Sequence, residues 1–348
     1  MTQKIDNDDK YIVEGNGKKH VFTSRTGKTI QLYNSDCLVG MNIFPDNYFD
    51  VIVTSPPYNL GISYGVYDDK IPREKYLEWI EKVAVKIKQK MKINGSFFLN
   101  IGASPTNPWA PFEIAPLLRR HFSLQNVIHW IKSIYIENKS YGHKDKINVG
   151  HLNPIRGSKY INNNQEYIFH FTISRDVLLD RFSIGIPLKD PSNNKRRKSG
   201  SNGLRCRGNT WYFPYKTIHS RKKNRPHPAT FPIEIAEACI RLHGISTTKE
   251  MVVLDPFMGI GHTSLACNKI GVNCVGFEID KNYYETNINR LEAEIVTNSN
   301  ILDIWNDNDN GLSNNSDNAN ANATTIFDYE NYSNDNKKNM KRGKIITQ

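Results

Sequence analysis

Residues 251–278, MVVLDPFMGIGHTSLACNKIGVNCVGFE, decide the fold class of this chain. An apolar strand pattern runs into Asp255, a turn follows with Gly259 and Gly261, and a helical pattern then leads to a second apolar strand that ends in Glu278. Glycines in such a turn let the backbone approach a ligand of the nucleotide type, and the N-terminus of the helix follows directly. The stretch therefore predicts a β-α-β unit of a parallel sheet with a ligand site at the ends of its strands.

Glu278 closes the second strand of this unit. An acidic side chain at that position is placed to bind both hydroxyls of a ribose, and the alternative is a solvated strand end. The turn lacks the lysine of a P-loop, so phosphate binding of the NTPase type is excluded. A dinucleotide dehydrogenase would share the arrangement but normally shows a third glycine, and His262 and Thr263 stand in its place here.

The rest of the chain divides into zones of different composition. Apolar β-type runs alternate with helical patterns in two zones, as in β-α-β folds with a largely parallel sheet. Polar or basic stretches interrupt or flank them. The zones are a polar, flexible N-terminal extension at 1–20, an α/β half at 21–172, a Gly-, Ser- and Asn-containing basic segment at 173–220, a second α/β half at 221–295, and an Asn-rich tail, expected to be disordered, at 296–348.

Composition narrows the class of protein further. The 348 residues carry 46 Lys and Arg against 35 Asp and Glu, a net charge of +11, which favours a polyanionic partner such as nucleic acid. Neither an N-terminal apolar signal region nor an apolar run of membrane-spanning length is present. The five cysteines form no C-x-x-C pair, so a disulfide framework and a zinc site are not expected. These features predict a reduced cytoplasmic protein without a bound metal.

The hexapeptide TSPPYN, residues 54–59, follows the apolar strand pattern FDVIVT. Pro56 and Pro57 cannot donate ladder hydrogen bonds, so the chain must leave the sheet there. This fixes Ser55 Oγ and the nearby carbonyls at the carboxyl end of a strand, with the ring of Tyr58 beside them. Such a site can accept hydrogen bonds from an amino group while the ring stacks on the same planar base. The alternative is an ordinary Pro-Pro strand exit with a buried tyrosine.

Together with the DPFMGIG turn, TSPPYN resembles the amino-group DNA methyltransferases that use S-adenosyl-L-methionine. The order of motifs resembles the permuted subgroup, in which the catalytic motif precedes the cofactor turn. YNSDC, NNNQEYIFHFT and RPHPATFP also resemble family motifs, and the likeness covers roughly residues 30 to 290. It implies a doubly wound, seven-stranded, mostly parallel sheet of the Rossmann-like methyltransferase type, with helices on both faces and an inserted target-recognition segment.

The resemblance also implies roles for individual residues. Residues 21–172 would form the catalytic half, and residues 221–295 the cofactor-binding half. Their two turns would meet where the winding of the sheet reverses. The implied catalytic residues are Ser55, Pro56, Pro57 and Tyr58. The implied S-adenosyl-L-methionine-binding residues are Asp36, His227, Thr230, Asp255, Phe257, Gly259, Gly261, Thr263 and Glu278; for His227 and Thr230 the alternative is a role only at the helix start.

The implied reaction is displacement at the sulfonium methyl by an exocyclic amino nitrogen. Ser55 Oγ and the Pro56 carbonyl would accept the amino hydrogens. Methylation at cytosine C5 needs a thiolate, from a Pro-Cys pair in that family, and no Cys here follows a Pro. Ser rather than Asp at position 55 resembles the cytosine-N4 branch more than the adenine-N6 branch, which stays open as an alternative. A catalytically inactive DNA-binding protein and an RNA or protein methyltransferase also stay open, although the tetrapeptide SPPY disfavours the RNA or protein enzyme.

Target recognition is expected in residues 173–220, with double-stranded DNA as the partner. Lys195, Arg196, Arg197 and Lys198 would contact phosphates, and Arg205, Arg207 and Asn209 would read base edges. The alternative is a solvated, charged loop. A restriction endonuclease for the same site is a further candidate partner, in a prokaryotic cytoplasm with access to chromosomal DNA. The oligomeric state is left open.

Overall fold

The computed structural model describes residues 12–13, 17–24, 26–62, 66–105, 107–136, 147–150, 158–161, 163–188, 203–213, 230–245 and 250–309. The chain divides into two units, Met1–Asn298 and Ser299–Gln348. In the second unit the description covers only helical residues up to 309. All the features of the site discussed below lie in the first unit.

The strands are short and mostly apolar. Their bounds are β1 (Ile12–Val13), β2 (Gly17–Thr23), β3 (Thr29–Asn34), β4 (Phe49–Thr54), β5 (Met91–Ile101), β6 (Ser123–Ile131), β7 (Ser133–Ile136), β8 (Ile147–Gly150), β9 (Gln165–Thr172), β10 (Ile186–Pro187), β11 (Leu204–Arg205), β12 (Thr210–Tyr212), β13 (Val252–Asp255) and β14 (Asn273–Glu278). The helices are α1 (Cys37–Gly40), α2 (Arg73–Lys90), α3 (Ala110–Leu118), α4 (Ile233–His243), α5 (His262–Ile270) and α6 (Lys281–Asp309), and a 3-10 turn follows α1 at Met41–Ile43.

Ten of the described strands form one sheet in the order β1-β2-β3-β14-β13-β4-β5-β9-β6-β12. The run from β3 to β5 is parallel, and β9 is antiparallel to both of its neighbours. The seven strands from β3 to β6 are the predicted doubly wound core, which confirms the fold class. The sheet is wider than seven strands because the β1–β2 hairpin extends one edge and β12 extends the other.

Helices cover both faces of this sheet. Ile52 and Leu254 belong to the core cluster that also contains residues of α2 and α3. Side chains alternate along a strand, so Val51 and Val253 point to the opposite face, where α4 and α5 pack against each other. In the order β14-β13-β4-β5, the chain goes from β13 outward to β14 on one side and from β4 outward to β5 on the other. The direction of winding of the sheet therefore reverses between β13 and β4. Ligand sites of doubly wound sheets form at such reversals.

Two predicted boundaries move. The N-terminal extension was expected to be flexible up to residue 20, but residues 17–20 belong to β2 and pair with β3. The tail was expected to be disordered from residue 296, but α6 continues to Asp309. Residues 310–348 lie outside the described part.

The predicted recognition segment is not wholly an insertion. Its residues 210–212 form β12 and pair in parallel with β6 of the main sheet. Trp211 is buried there, and the indole of its neighbour Trp130 donates to the Phe213 carbonyl at 2.7 Å.

None of the described helices combines the length and apolarity that a membrane crossing needs. In the same residues no cluster of His, Cys, Asp or Glu could hold a metal ion.

Candidate active site

A cleft lies at the carboxyl ends of β4, β13 and β14, beside the end of β3. Its empty space of about 1080 Å³ includes solvent at the open mouth. Both predicted motifs contribute to its wall although they lie far apart in sequence. The predicted site residues that it brings together are Asp36, Ser55, Pro56, Pro57, Tyr58, Thr230, Asp255, Phe257, Gly259, Thr263 and Glu278.

Asp255, at the end of β13, ties three segments together beneath the cleft. Its Oδ1 accepts from Thr54 Oγ1 at 2.6 Å and from the Phe257 N–H at 3.0 Å, and its Oδ2 accepts from Thr263 Oγ1 at 2.6 Å. Burial raises the pKa of this carboxyl to about 6, although the three hydrogen bonds oppose the shift. Asp255 therefore joins β4 to the start of α5 and sets the shape of the turn.

Glu278, at the end of β14, holds the turn from the other side. Its Oε2 accepts from the Gly259 N–H at 2.8 Å, and its Oε1 accepts from the Asp280 N–H at 2.7 Å. Burial raises the pKa of Glu278 to about 7, and the nearby charges of Asp280 and Asp255 add to this effect. A carboxylate oxygen has two lone pairs, so each oxygen retains acceptor capacity toward the cleft.

Gly261 does not line the cleft but determines how α5 begins. It is the N-cap of α5 with φ of 89° and ψ of 34°, a left-handed conformation that other residues adopt only with strain. A Cβ at this position would lie 1.8 Å from Asn287 Oδ1 and 2.7 Å from Ser264 Oγ. Both the backbone angle and the packing therefore require glycine here.

The prolines of the 54–59 loop lead the chain out of the sheet as predicted. The Pro57 carbonyl accepts from the hydroxyl of Tyr76, a buried residue of α2, at 2.7 Å. Asn59 lies in the left-handed region with φ of 58°, and its backbone N–H donates to Asp69 at 2.8 Å. These contacts hold Ser55 at the strand end, on the wall of the cleft.

Ser55 and Tyr58 belong to a buried polar network. Ser55 Oγ lies 2.6 Å from the Tyr58 hydroxyl, which donates to Glu166 Oε2 at 3.1 Å. Asn100 Nδ2 donates to the Tyr58 hydroxyl and to Glu166 Oε2, both at 2.7 Å. Lys132 Nζ donates to Glu166 Oε1 at 2.6 Å. Tyr58 is among the residues that line the cleft, while its hydroxyl is fixed by groups from β5 and β9.

Asp36 has a structural contact that its predicted role did not include. Its side chain caps α1 by accepting from the Leu38 and Val39 N–H groups at 2.8 Å and 3.2 Å.

Thr230 lies on the cleft wall, and His227 lies outside the described residues. Further lining residues that were not predicted are Ser35, Tyr67, Trp79, Phe231, Met258, Ile279, Asp280 and Tyr283.

Comparison with known proteins shows which family has both of these motifs. The family model of the N6 and N4 amino methyltransferases, described as DNA methylase, matches residues 49–289, which include both motifs and every strand from β4 to β14. The chain belongs to the DNA methylase family.

Relatives and solved structures agree with this membership. The methylase is 27% identical over 291 residues to the type II methyltransferase M.ScaI of Streptomyces caespitosus, covering 80% of this chain and 85% of that protein. It is 26% identical to the type II methyltransferase M.BglII of Bacillus subtilis, covering 78% and 71%.

Among solved structures, the PvuII cytosine-N4-specific DNA methyltransferase shares the fold with a TM-score of 0.56 at 17% identity, covering 77% of this chain and 90% of that one. A Thermus thermophilus protein assigned as a DNA modification methylase, solved with S-adenosyl-L-methionine, matches with a TM-score of 0.50 at 22% identity, covering 75% and 92%.

The DNA-contacting residues predicted in the methylase have different outcomes. Arg207 is 9% exposed, its Nε donates to the Ile184 carbonyl at 2.9 Å, and its guanidinium lies 5.4 Å from the Phe213 ring centroid. These contacts favour a structural role, and contact of Arg207 with a base stays a prediction. Asn209 Nδ2 donates to the Val127 carbonyl at 2.9 Å and so ties β12 to β6. Arg205 is exposed at the end of β11, where its role stays a prediction. Residues 195–198 lie outside the described part.

Three polar residues of the network around Ser55 were missed by the sequence reasoning. Asn100 and Glu166 lie within the apolar strands β5 and β9, and Lys132 follows β6 directly. A polar residue in an otherwise apolar strand signals a buried interaction. Its partner depends on strand order, because β9 inserts between β5 and β6.

Proposed function

We propose that the methylase transfers a methyl group from S-adenosyl-L-methionine to the exocyclic N4 of a cytosine flipped out of duplex DNA. It acts at a short recognition sequence as a type II modification enzyme. The observation that carries the proposal is the position of Ser55. Its hydroxyl lies at the carboxyl end of β4, on the same cleft as the Asp255–Glu278 turn, so that a target amino group and a cofactor methyl group can meet.

The cleft fits a cofactor that is both cationic and nucleoside-like. Its described lining contains four carboxylates and no Lys or Arg, in a chain with a net charge of +11. Burial raises the pKa of two of them, Asp255 and Glu278, and a positive ligand would stabilise their ionised forms. When bound, S-adenosyl-L-methionine supplies an electrophilic methyl group; Glu278 would hold its ribose and Phe257 its apolar parts.

Ser55 and the Pro56 carbonyl would act on the target base. The lone pair of an exocyclic amino group is conjugated into the ring, which makes the nitrogen a poor nucleophile. Accepting its hydrogens at Ser55 Oγ and at the Pro56 oxygen pulls the nitrogen toward tetrahedral geometry and frees the lone pair. Holding both reactants in this geometry contributes several of the ~7–11 kcal/mol available from ideal orientation.

The choice of cytosine rests on Ser55. An aspartate in this position would resemble the adenine-N6 branch, and serine resembles the cytosine-N4 branch. The PvuII enzyme, which shares the fold, is described as cytosine-N4-specific. The matching family model covers both kinds of amino methylation, so adenine-N6 is the outcome against which the proposal is tested.

Double-stranded DNA is the proposed substrate, and the positive charge of the chain suits it. The target base must leave the stack at a cost of a few kcal/mol, part of which the Tyr58 ring would offset by stacking. The relatives named as type II methyltransferases support a role in modification, with a restriction endonuclease of the same specificity as a proposed partner.

The product nucleoside tests the proposal. The purified protein is incubated with methyl-labelled S-adenosyl-L-methionine and bacterial genomic DNA, and the DNA is digested to nucleosides for mass spectrometry. We expect labelled N4-methyldeoxycytidine from the intact protein and at least about 100-fold less from Ser55→Ala after the same incubation time. N6-methyldeoxyadenosine would overturn the choice of base, and the absence of any methylated nucleoside would overturn the proposed activity.

A further inference from the structure

We propose that Glu166 is a positioning residue for methyl transfer: acting through Tyr58, it orients the Ser55 hydroxyl toward the target amino group and receives the proton which that group releases. The inference rests on the proposed function, because it concerns the fate of the amino protons. It adds a residue of β9 to a reaction so far assigned to the 54–59 loop. The observation behind it is a continuous chain of hydrogen bonds.

This chain of hydrogen bonds runs from the cleft into the protein interior. Ser55 Oγ lies on the cleft wall, 2.6 Å from the Tyr58 hydroxyl, which lies 3.1 Å from Glu166 Oε2. Tyr58 and Glu166 are 9% and 8% exposed. Each link is within hydrogen-bond distance, and the chain ends at a buried carboxylate.

The direction of the chain follows from its chemistry. An ionised carboxylate can only accept, and a hydrogen bond to it is about twice as strong as one between neutral groups. The single hydroxyl proton of Tyr58 therefore points to Glu166. Asn100 Nδ2 also donates to the Tyr58 oxygen, at 2.7 Å. Ser55 is then the donor in its bond with Tyr58. Asn100 Nδ2 also donates to Ser55 Oγ, at 3.4 Å, so one of the two lone pairs of Ser55 Oγ remains available to accept from an amino group in the cleft.

The surroundings of Glu166 are built for a buried charge. Lys132 Nζ, itself largely buried, lies 2.6 Å from Glu166 Oε1, and a buried carboxylate needs such a partner. Gly102 allows the carboxylate to approach the tyrosine. A Cβ on Gly102 would lie 3.0 Å from both Glu166 Cδ and Tyr58 Cε2. The close packing of these two side chains depends on the absence of a side chain at residue 102.

The reaction releases one proton, which the chain of hydrogen bonds can carry from the cleft to Glu166. The amino nitrogen forms a bond to the methyl carbon while the carbon–sulfur bond breaks and its electron pair goes to sulfur. The nitrogen is then positively charged and must lose one proton. It passes the proton to Ser55 Oγ, Ser55 passes its own hydroxyl proton to Tyr58, and Tyr58 passes its proton to Glu166. The net result is a neutral methylated amine and a neutral Glu166, which later returns the proton to solvent.

The test uses three variants of the full chain. Glu166→Gln keeps the size of the side chain but removes the terminal proton acceptor. Tyr58→Phe keeps the ring and the Lys132–Glu166 ion pair but interrupts the chain, so it also covers the case in which Glu166→Gln does not fold. Glu237→Gln is the matched control, because Glu237 is fully buried and paired with Arg241 and Lys269 away from the cleft.

The readouts are the single-turnover rate of methyl transfer, the Kd of S-adenosyl-L-methionine and the Kd of cognate DNA. We expect Glu166→Gln and Tyr58→Phe each to lower the rate about 100-fold or more, the scale of lost acid–base assistance, with both Kd values kept. The double variant should be no slower than the worse single variant, since the residues act as one unit. Glu237→Gln should lower the melting temperature and keep the rate.

Two results would overturn the inference. The first is an unchanged transfer rate in Glu166→Gln or Tyr58→Phe while the intact protein methylates DNA. The second is a rate loss that is matched by equal losses of cofactor and DNA binding, which is the behaviour of a purely structural residue. Failure of the proposed function is distinct from both, because the intact protein itself would then yield no methylated nucleoside.

Discussion

The turn after β13, which we propose holds the cofactor, and the loop after β4, which we propose is catalytic, reach the same cleft but are held in different ways. The turn is shaped by Asp255, Gly261 and Glu278, whose partners mostly lie within its own β-α-β unit. The catalytic loop is held by side chains from other strands, among them Asn100 and Glu166. A local turn keeps its geometry with few neighbours, whereas the loop depends on the order of the strands.

This contrast predicts that substitutions in the turn act through backbone strain and that substitutions in the loop act through lost polar contacts. Replacing a glycine of the turn should therefore destabilise the fold. Replacing Ser55 or the Tyr58 hydroxyl in the loop should slow the chemistry and leave the fold intact. Substitutions and changes of pH can break each half of this division.

Gly261→Ala should lower the free energy of unfolding by about 2–5 kcal/mol, from the strain of a left-handed residue and the overpacking against Asn287. Gly27→Ala is the matched control. Gly27 has φ of 73°, but nothing lies within 4 Å of its Cβ position, so only the backbone term of about 1–2 kcal/mol remains. Urea denaturation measures both. Equal losses in the two variants would show that packing at the turn contributes nothing.

Cofactor affinity should depend on pH through Glu278. Its pKa in the folded protein is raised from 4.5 to about 7, so the carboxyl becomes protonated as pH falls through 7 and loses its charge and acceptor strength toward a cationic ligand. Calorimetry should show S-adenosyl-L-methionine binding about tenfold more weakly at pH 6 than at pH 8. Glu278→Gln should bind weakly at both pH values. A pH-dependent affinity that survives in this variant would assign the effect to another group.

Without cofactor, the raised pKa of Glu278 should make the folded protein less stable as pH rises. Cofactor affinity, in contrast, should increase as pH rises. Because the folded carboxyl of Glu278 binds a proton more tightly than the unfolded one, the protein loses the corresponding stability as pH rises from about 4.5 through 7. Glu278→Gln should remove this contribution from the pH dependence of urea unfolding. If the slope in this range is identical in the variant, the burial of Glu278 is not its cause.

Two arginines of the 173–220 segment should separate DNA binding from folding. Arg205→Ala removes an exposed positive charge and should weaken DNA binding slightly, with the salt dependence of log K reduced by about one unit if it contacts a phosphate. Arg207→Ala removes a buried guanidinium that bonds to Ile184, and should lower the melting temperature instead. The reverse pattern would place Arg207 on the DNA-contacting surface.

The sequence allowed prediction of the sheet, of the strand ends that border the cleft and of part of the cleft lining, because these follow from local patterns. Asp255, Gly261 and Glu278 stand at fixed offsets from strand ends, and Ser55 precedes two prolines that force a turn. The role of Arg207 could not be predicted in this way, since a basic residue in a polar stretch is indistinguishable from a solvated one until its partner Ile184 is known. Local composition carries no information about such tertiary partners.

The network around Ser55 shows the same limit. Asn100 and Glu166 interact only because β9 lies antiparallel beside β5, with Asn100 paired to Ile168 in the register. A shift of that register by one residue would turn Glu166 to the other face of the sheet. The pairing of distant strands is a property of the whole sheet and is not encoded in any single motif.

The single-turnover rate of Ser55→Ala tests most directly the claim that the end of β4 performs the chemistry and the end of β13 holds the cofactor. The rate is measured with saturating methyl-labelled S-adenosyl-L-methionine and cognate duplex, beside the Kd of each. We predict a fall of about 100-fold or more in the transfer rate with both Kd values unchanged, since the lost contact matters most in the transition state. An unchanged rate, or an intact rate with weakened cofactor binding, would contradict the account.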